Sequence, residues 1–207
     1  MRRLLLLALL LAAGGAAADA PKPEPSALAA ELQRGGHVIV MRHGATHPDQ
    51  ADLDPWRPEG PGAQRQLNDR GRADAAAFGA ALKAIGVPVR KAWTSRFNRA
   101  YETALLAGLA DPEKTTDLTE GGLVVSPQEN VRRAKALRAL IEAQPDPGTT
   151  LIVVTHKPNI LDALGRDWFE VREGEASIFR PEPGGATLVA RVRIEEWPTL
   201  AAVAEGR

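Results

Sequence analysis

The stretch VIVMRHGATHP, residues 38–48, runs an apolar, β-branched segment straight into Arg42 and His43. A permanent cation beside a titratable imidazole at the end of a buried segment is costly without a partner, so either a local acid neutralises it or an anion arrives. Two further clusters have the same character. SRFNRAYETA, residues 95–104, places Ser95 and Arg99 just after a second strand-like run, and TTLIVVTHKPN, residues 149–159, ends a third on His156. Arginine forks bind phosphate oxygens through paired hydrogen bonds, and an imidazole adds either a charge or, when neutral, a nucleophile toward phosphorus. In-line phosphoryl transfer asks mainly for positioning and for positive charge around the equatorial oxygens. Arg42, His43, Arg99 and His156 together offer three clamping groups and one nucleophile. A screened cation–phosphate contact is worth about 4 kcal/mol per unit charge at about 4 Å and an effective dielectric of about 20. Three such contacts suffice to hold the anion, so no metal and no other cofactor is required.

Each of these residues also has an ordinary reading. A lone histidine is usually packed in a core or loop, a lone arginine pairs on the surface, and a residue after LIVVT caps a strand. Their joint placement at strand ends, in a chain with four histidines, favours the site. A metal site built from His37, His43, His47 and His156 is the rival. His43 and His47 have helical spacing, but Gly44 and Pro48 oppose a helix there.

The elements that must position these groups follow from hydrophobic period and punctuation. His37–Met41 reads as a buried strand, and His47–Gln66, rich in Pro, Gly and Asp, as a long loop of the kind that carries function. LNDRGRADAAAFGAALKAIG predicts a helix with Asn68 as N-cap, Ala75, Phe78, Leu82 and Ile85 on its buried face, and Gly86 as its stop. Val87–Ser95 is a strand, and RFNRAYETALLAGLA then takes up a helical period. A short strand is expected around Thr115–Leu118. The next helix starts at Ser126 with Pro127 at its first position and Glu129 closing a capping box, and it buries Val131, Ala134, Leu137, Leu140 and Ile141. Thr149–His156 is the second strongly apolar strand, and Ala176–Arg180 and Thr187–Ile194 form an antiparallel pair around PEPGG. Strands alternating with helices predict a three-layer α/β/α sandwich with a mostly parallel central sheet. In such sheets the site lies at the carboxyl ends of the strands, which is where Arg42, His43, Ser95, Arg99 and His156 fall.

The whole chain sets the context. Its 207 residues allow one domain, and equal numbers of acidic and basic side chains provide no global field for nucleic acid or an anionic membrane, so phosphate binding must be local. MRRLLLLALLLAAGGAAADA has a basic start, an apolar run from Leu4 to Ala13 too short to span a bilayer, and small residues at Ala16–Ala18. This predicts a signal peptide over residues 1–18, export to the periplasm or the medium, and no stable membrane anchor after cleavage. Residues 19–30 read as a flexible Pro-rich lead-in to a domain over 31–207. With no cysteine, disulfides, thiolate zinc sites and a cysteine nucleophile are excluded.

MRHGAT, then SRFNRAYETA, then a strand ending in His, together resemble the histidine phosphatase superfamily, the phosphoglycerate-mutase-like group marked by Arg-His-Gly. The resemblance runs over nearly the whole chain after the leader, and it favours the small, single-domain branch 1. It implies a phosphoglycerate-mutase-like fold and a phosphatase acting through a phosphohistidine on His43, with Arg42, Arg99 and His156 holding the phosphate. Thr46 and Asn159 either line the pocket or serve turn and cap roles, and Arg65 faces either the site or a surface partner. A general acid must protonate the leaving oxygen. In relatives it is a glutamate in a Leu-x-Glu segment, which DLTEGG matches with Leu118 and Glu120; Asp117, Glu129 and the loop residues Asp49, Asp52 and Asp54 compete. Lys157 stands where relatives often have Gly, either at the pocket rim or toward solvent. The implied partner is a small-molecule or glycan phosphomonoester; a protein phosphohistidine, or phospho-ligand binding without turnover, are the alternatives.

Overall fold

The structure is a computed structural model and describes residues 22–54, 60–121 and 125–206. The expected signal peptide over 1–18 and part of the expected long loop lie outside these residues. One six-stranded sheet organises the rest: β1 (His37–Arg42), β2 (Val89–Ser95), β3 (Glu113–Thr115), β4 (Thr150–Thr155), β5 (Ala176–Glu182) and β6 (Gly185–Val192). Their spatial order is β3-β2-β4-β1-β5-β6. The first four run parallel, β5 is antiparallel to β1, and β6 is antiparallel to β5.

Alternation along the central strands divides the core into two layers. Ile39, Met41, Ile152 and Val154 face α1 (Pro25–Gln33), α2 (Asp69–Ile85), α3 (Asn98–Leu106) and α6 (Trp197–Ala204). Val38, Val40, Leu151 and Val153 face α4 (Pro127–Glu142) and α5 (Lys157–Leu164). Both faces of β1 and β4 are covered, which is why these strands are continuously apolar. The chain leaves β1 toward the α2 layer and β4 toward the α5 layer. The crevice between neighbouring β1 and β4 is therefore a topological switch point, where doubly covered sheets bind ligands.

Local signals account for most boundaries. Asn68 accepts the Gly71 N–H at 2.8 Å to start α2, and Gly86, at φ 81°, ends it with its N–H on the Leu82 carbonyl. Ser126 accepts the Glu129 N–H to start α4. Four expectations are corrected. The lead-in over 19–30 does not extend that far, because α1 starts at Pro25 and buries Leu28, Ala29 and Leu32 against the sheet. The strand expected at Thr115–Leu118 lies earlier, at Glu113–Thr115, and Thr116–Leu118 form a 3-10 turn. Val131 is 66% exposed, and Arg133 takes the inward position on α4. Glu129 does not close a capping box; its carboxylate turns to Arg132 and Arg133. Neither α5 nor α6 is visible as a period in the sequence, since both are single short helices behind a proline.

Candidate active site

The register of the two central strands sets Arg42 beside Thr155, and the His43 N–H donates to the Thr155 carbonyl at 3.0 Å. His43 and His156 therefore leave the sheet at the same level, with ring centroids 5.2 Å apart and planes tilted by 59°. The turn that follows is packed against two helices. A Cβ on Gly44 would stand 2.8 Å from the Gly71 carbonyl oxygen, and one on Gly71 would run into the Ala45 carbonyl. The glycine of Arg-His-Gly and that of DRGR thus let this turn meet the start of α2. The Gly44 N–H donates to the Thr103 hydroxyl at 3.0 Å, which in turn donates to the Arg99 carbonyl at 2.7 Å, tying the turn to α3.

The two imidazoles are buried and differently held. His43 Nδ1 lies 2.8 Å from the Gly44 carbonyl, an acceptor only, so Nδ1 carries the proton and Nε2 keeps its lone pair. Burial, then the Arg99 charge, hold its pKa well below the usual histidine value. Burial and Arg99 do the same for His156. His156 is thus neutral in the free protein rather than the additional cation of the sequence reading. Its Nε2 is 2.7 Å from Ser95 Oγ, which also accepts the Phe97 N–H and donates to Thr119 Oγ1 at 3.4 Å. Its Nδ1 is buried without a hydrogen-bond partner among the described residues, 3.5 Å from a Glu120 oxygen.

Arg99 is fully buried at the start of α3. Its fork donates to both oxygens of Asp52, at 2.9 and 3.1 Å, and to Glu120 at 2.8 Å. A carboxylate so placed has the planar two-oxygen pattern of part of a phosphate, so Asp52 occupies the face of the fork that a phosphate would take. Arg42 donates to the Val171 carbonyl at 2.9 Å and approaches Glu173 at 3.6 Å. Outward from His43, a cleft of about 400 Å³ is lined by Arg42, Arg65, Glu120, Asn130 and Lys157 among others.

The structure sorts the remaining candidates. Thr46 does not line the cleft: its hydroxyl donates to Glu173 at 2.7 Å and so steadies the acid facing Arg42. Asn159 is buried and turns its amide to the Thr119 carbonyl at 3.2 Å, which Arg133 also holds at 2.8 Å. Both fix the segment that presents Glu120. Asp117 pairs with Arg132 at 2.7 Å. Hydrogen bonds from Arg132 and Arg133 hold the Glu129 carboxyl down to about 2, so it has no proton to give near neutrality. Of the loop acids, Asp52 is the one the fold sets on Arg99. The four histidines do not converge, because His37 pairs with Glu31 at 3.1 Å at the opposite end of β1. Among the described residues no group of three or more His, Cys, Asp or Glu is arranged to hold a metal ion. Sequence reasoning missed Arg133, whose signal was the i, i+4 series Glu129, Arg133, Leu137, and the Val171 carbonyl, for which a sequence has no signal.

His43 with its unprotonated Nε2, the Arg42 and Arg99 guanidinium groups and the His156 ring thus gather at the carboxyl ends of the central strands, with Glu120 beside them. The comparisons agree with this chemistry. Residues 38–125 match the family model described as histidine phosphatase superfamily (branch 1). No curated protein sequence matches the chain. Among solved structures, the protein histidine phosphatase SixA complexed with tungstate is similar at 20% identity and a TM-score of 0.55, covering 77% of this chain and 98% of that one. A phosphoserine phosphatase mutant from Entamoeba histolytica, in complex with phosphoserine, is similar at 15% identity and a TM-score of 0.52, with coverage of 77% and 98%. A mycobacterial glucosyl-3-phosphoglycerate phosphatase with bound vanadate is similar at 16% identity and a TM-score of 0.50, with coverage of 73% and 96%. The Arg-His-Gly turn and the arginine of α3 fall within the stretch that matches the histidine phosphatase superfamily (branch 1) model, and the fold around them is the one these solved phosphatases share.

Proposed function

We propose that this protein is an exported, metal-independent phosphatase that hydrolyses phosphomonoesters through a phosphohistidine on His43. The observation that carries the reading is the buried, neutral His43 with Nε2 unprotonated, next to Arg99 and His156. Phosphate first displaces Asp52 from the Arg99 fork and is held by Arg42, Arg99 and His156. His43 Nε2 attacks phosphorus; the P–N bond forms as the P–O bond to the leaving group breaks, and Glu120 protonates the departing oxygen. Water then attacks phosphorus and gives a proton to Glu120. The P–N bond breaks, and inorganic phosphate leaves a neutral His43.

The substrate class in this reading is a small-molecule or glycan phosphomonoester. The likeness to SixA, whose description is protein histidine phosphatase, favours a protein phosphohistidine as the second reading. Export rests on the basic and apolar pattern of residues 1–18. The test is hydrolysis of p-nitrophenyl phosphate and a panel of alkyl phosphates by the purified protein, with and without a chelator. Turnover insensitive to the chelator and absent in His43→Ala is expected. Binding of phosphate without turnover, or turnover that the chelator removes, would contradict it.

A further inference from the structure

Arg42 is gripped by the turn over residues 171–175, which contributes no group to the reaction itself. The Arg42 backbone N–H donates to the Glu175 carbonyl at 3.0 Å, and the Gly174 N–H donates to the carbonyls of both Arg42 and His43, at 3.1 and 3.0 Å. The Val171 carbonyl and the Glu173 carboxylate, from the same turn, meet the Arg42 guanidinium, whose Nε is buried without a hydrogen-bond partner among the described residues. What shapes the turn is Glu175, left only 5% exposed. Its N–H donates to the Arg172 carbonyl at 3.0 Å, and its carboxylate accepts the Arg172 N–H at 3.1 Å, so the turn is closed twice over. Gly174 permits this closure, because its φ of 76° lies where a side chain is strained. The other Glu175 oxygen accepts the Arg191 guanidinium, with Nε at 2.7 Å, across the β5–β6 pair. Arg191 is fixed in turn by the Asp167 carbonyl at 2.7 Å and by the ring of Trp168, 5.4 Å from its guanidinium carbon.

Neither Glu175 nor Arg191 reaches the reacting groups. They border a separate hollow of about 430 Å³ and not the cleft outward from His43. A buried ion pair adds little net stability over apolar packing of the same volume, so stability alone does not explain a carboxylate enclosed here. What it supplies is geometry. It fixes the spacing between the Val171 carbonyl and Glu173, and those two acceptors set where the Arg42 fork points. We propose that Glu175 and Arg191 are positioning residues for Arg42, holding its guanidinium at the angle at which it meets a phosphoryl oxygen. This role rests on the reading above in which Arg42 holds the phosphate.

The test is a double-mutant cycle read by calorimetric titration of tungstate, a tetrahedral oxyanion, into the purified protein. Glu175→Gln keeps the size of the side chain and an acceptor for the Arg172 N–H but removes the charge that holds Arg191. It is expected to weaken tungstate binding roughly 10-fold, the scale of coupling within one hydrogen-bond network. In an Arg42→Met background the same substitution should change affinity by less than about 2-fold. Arg191→Met, which leaves the sequence of the turn intact, should repeat the loss, and Arg191→Lys should restore most of it. Unchanged affinity in both Glu175→Gln and Arg191→Met would overturn the role. So would the same loss with and without Arg42, since a general loosening of the fold weakens binding in either background. Hydrolysis of p-nitrophenyl phosphate by the unaltered protein reports separately on the phosphatase reading. Turnover with additive losses removes the positioning role alone, and non-additive losses without turnover remove the phosphatase alone.

Discussion

At the scale of single residues, the two carboxylates on Arg99 have different expected roles. Glu120 stands 2.8 Å from Arg99 and 3.5 Å from His156, beside the place where a leaving oxygen departs. Glu120→Gln should slow alkyl phosphates more than aryl phosphates, whose phenolate leaves without a proton. Equal losses in kcat on both would remove it from the acid role. Asp52 takes two hydrogen bonds of a fully buried guanidinium, and phosphate must displace it. Asp52→Asn is therefore expected to lower the inhibition constant for inorganic phosphate several-fold, roughly the weakening of a charge-assisted pair by 1 kcal/mol. An unchanged or raised constant would contradict competition for the fork. Arg42, His43 and His156 were legible in the sequence because each charged or titratable group closes an apolar run, and Arg99 because it opens the helical period that follows the second strand. The engagement of Asp52 was not, since nothing in HPDQADLDP says which of three aspartates a loop turns inward.

At the scale of elements, the site depends on the contact between the Arg-His-Gly turn and the first turn of α2. Gly71→Ala drives a methyl into the Ala45 carbonyl and should cost about 1–3 kcal/mol, as overpacking does, while displacing His43. A urea midpoint and turnover both unchanged would contradict it. Helix α4 gives a paired test of the corrected face. Leu137 is fully buried, and Leu137→Ala should cost about 2–5 kcal/mol, whereas Val131→Ala should stay within about 0.5 kcal/mol. The reverse order would restore the face read from periodicity. Helix α2 could be read in full because cap, period and stop agree at Asn68, Phe78 and Gly86. On α4, the apolar Val131 and the charged Arg133 exchanged places because a hydrogen bond to the Thr119 carbonyl satisfies the guanidinium inside.

At the scale of the whole molecule, a mixed sheet between two helical layers brings residues more than a hundred positions apart to one crevice, and burial there keeps the imidazoles uncharged. His37, His43 and His156 all have folded pKa values below the ordinary one, chiefly through burial. Below about pH 6.5 the unfolded chain therefore binds protons that the native state refuses, so stability should fall as pH drops from about 6.5 toward 5 and level off above it. Urea unfolding across that range, on the unaltered protein and on His43→Gln/His156→Gln, should show a shallower slope in the double variant. Identical slopes would mean that the rings are protonated in the fold. The central claim, that His43 is the group that takes the phosphoryl, is tested most directly by quenching turnover of an aryl phosphate in alkaline denaturant and mapping the phosphorylated peptide. A phosphoryl group on His43 and none on His156 is expected; a phosphoryl group on any other residue, or no covalent species under conditions that show burst kinetics, would contradict it.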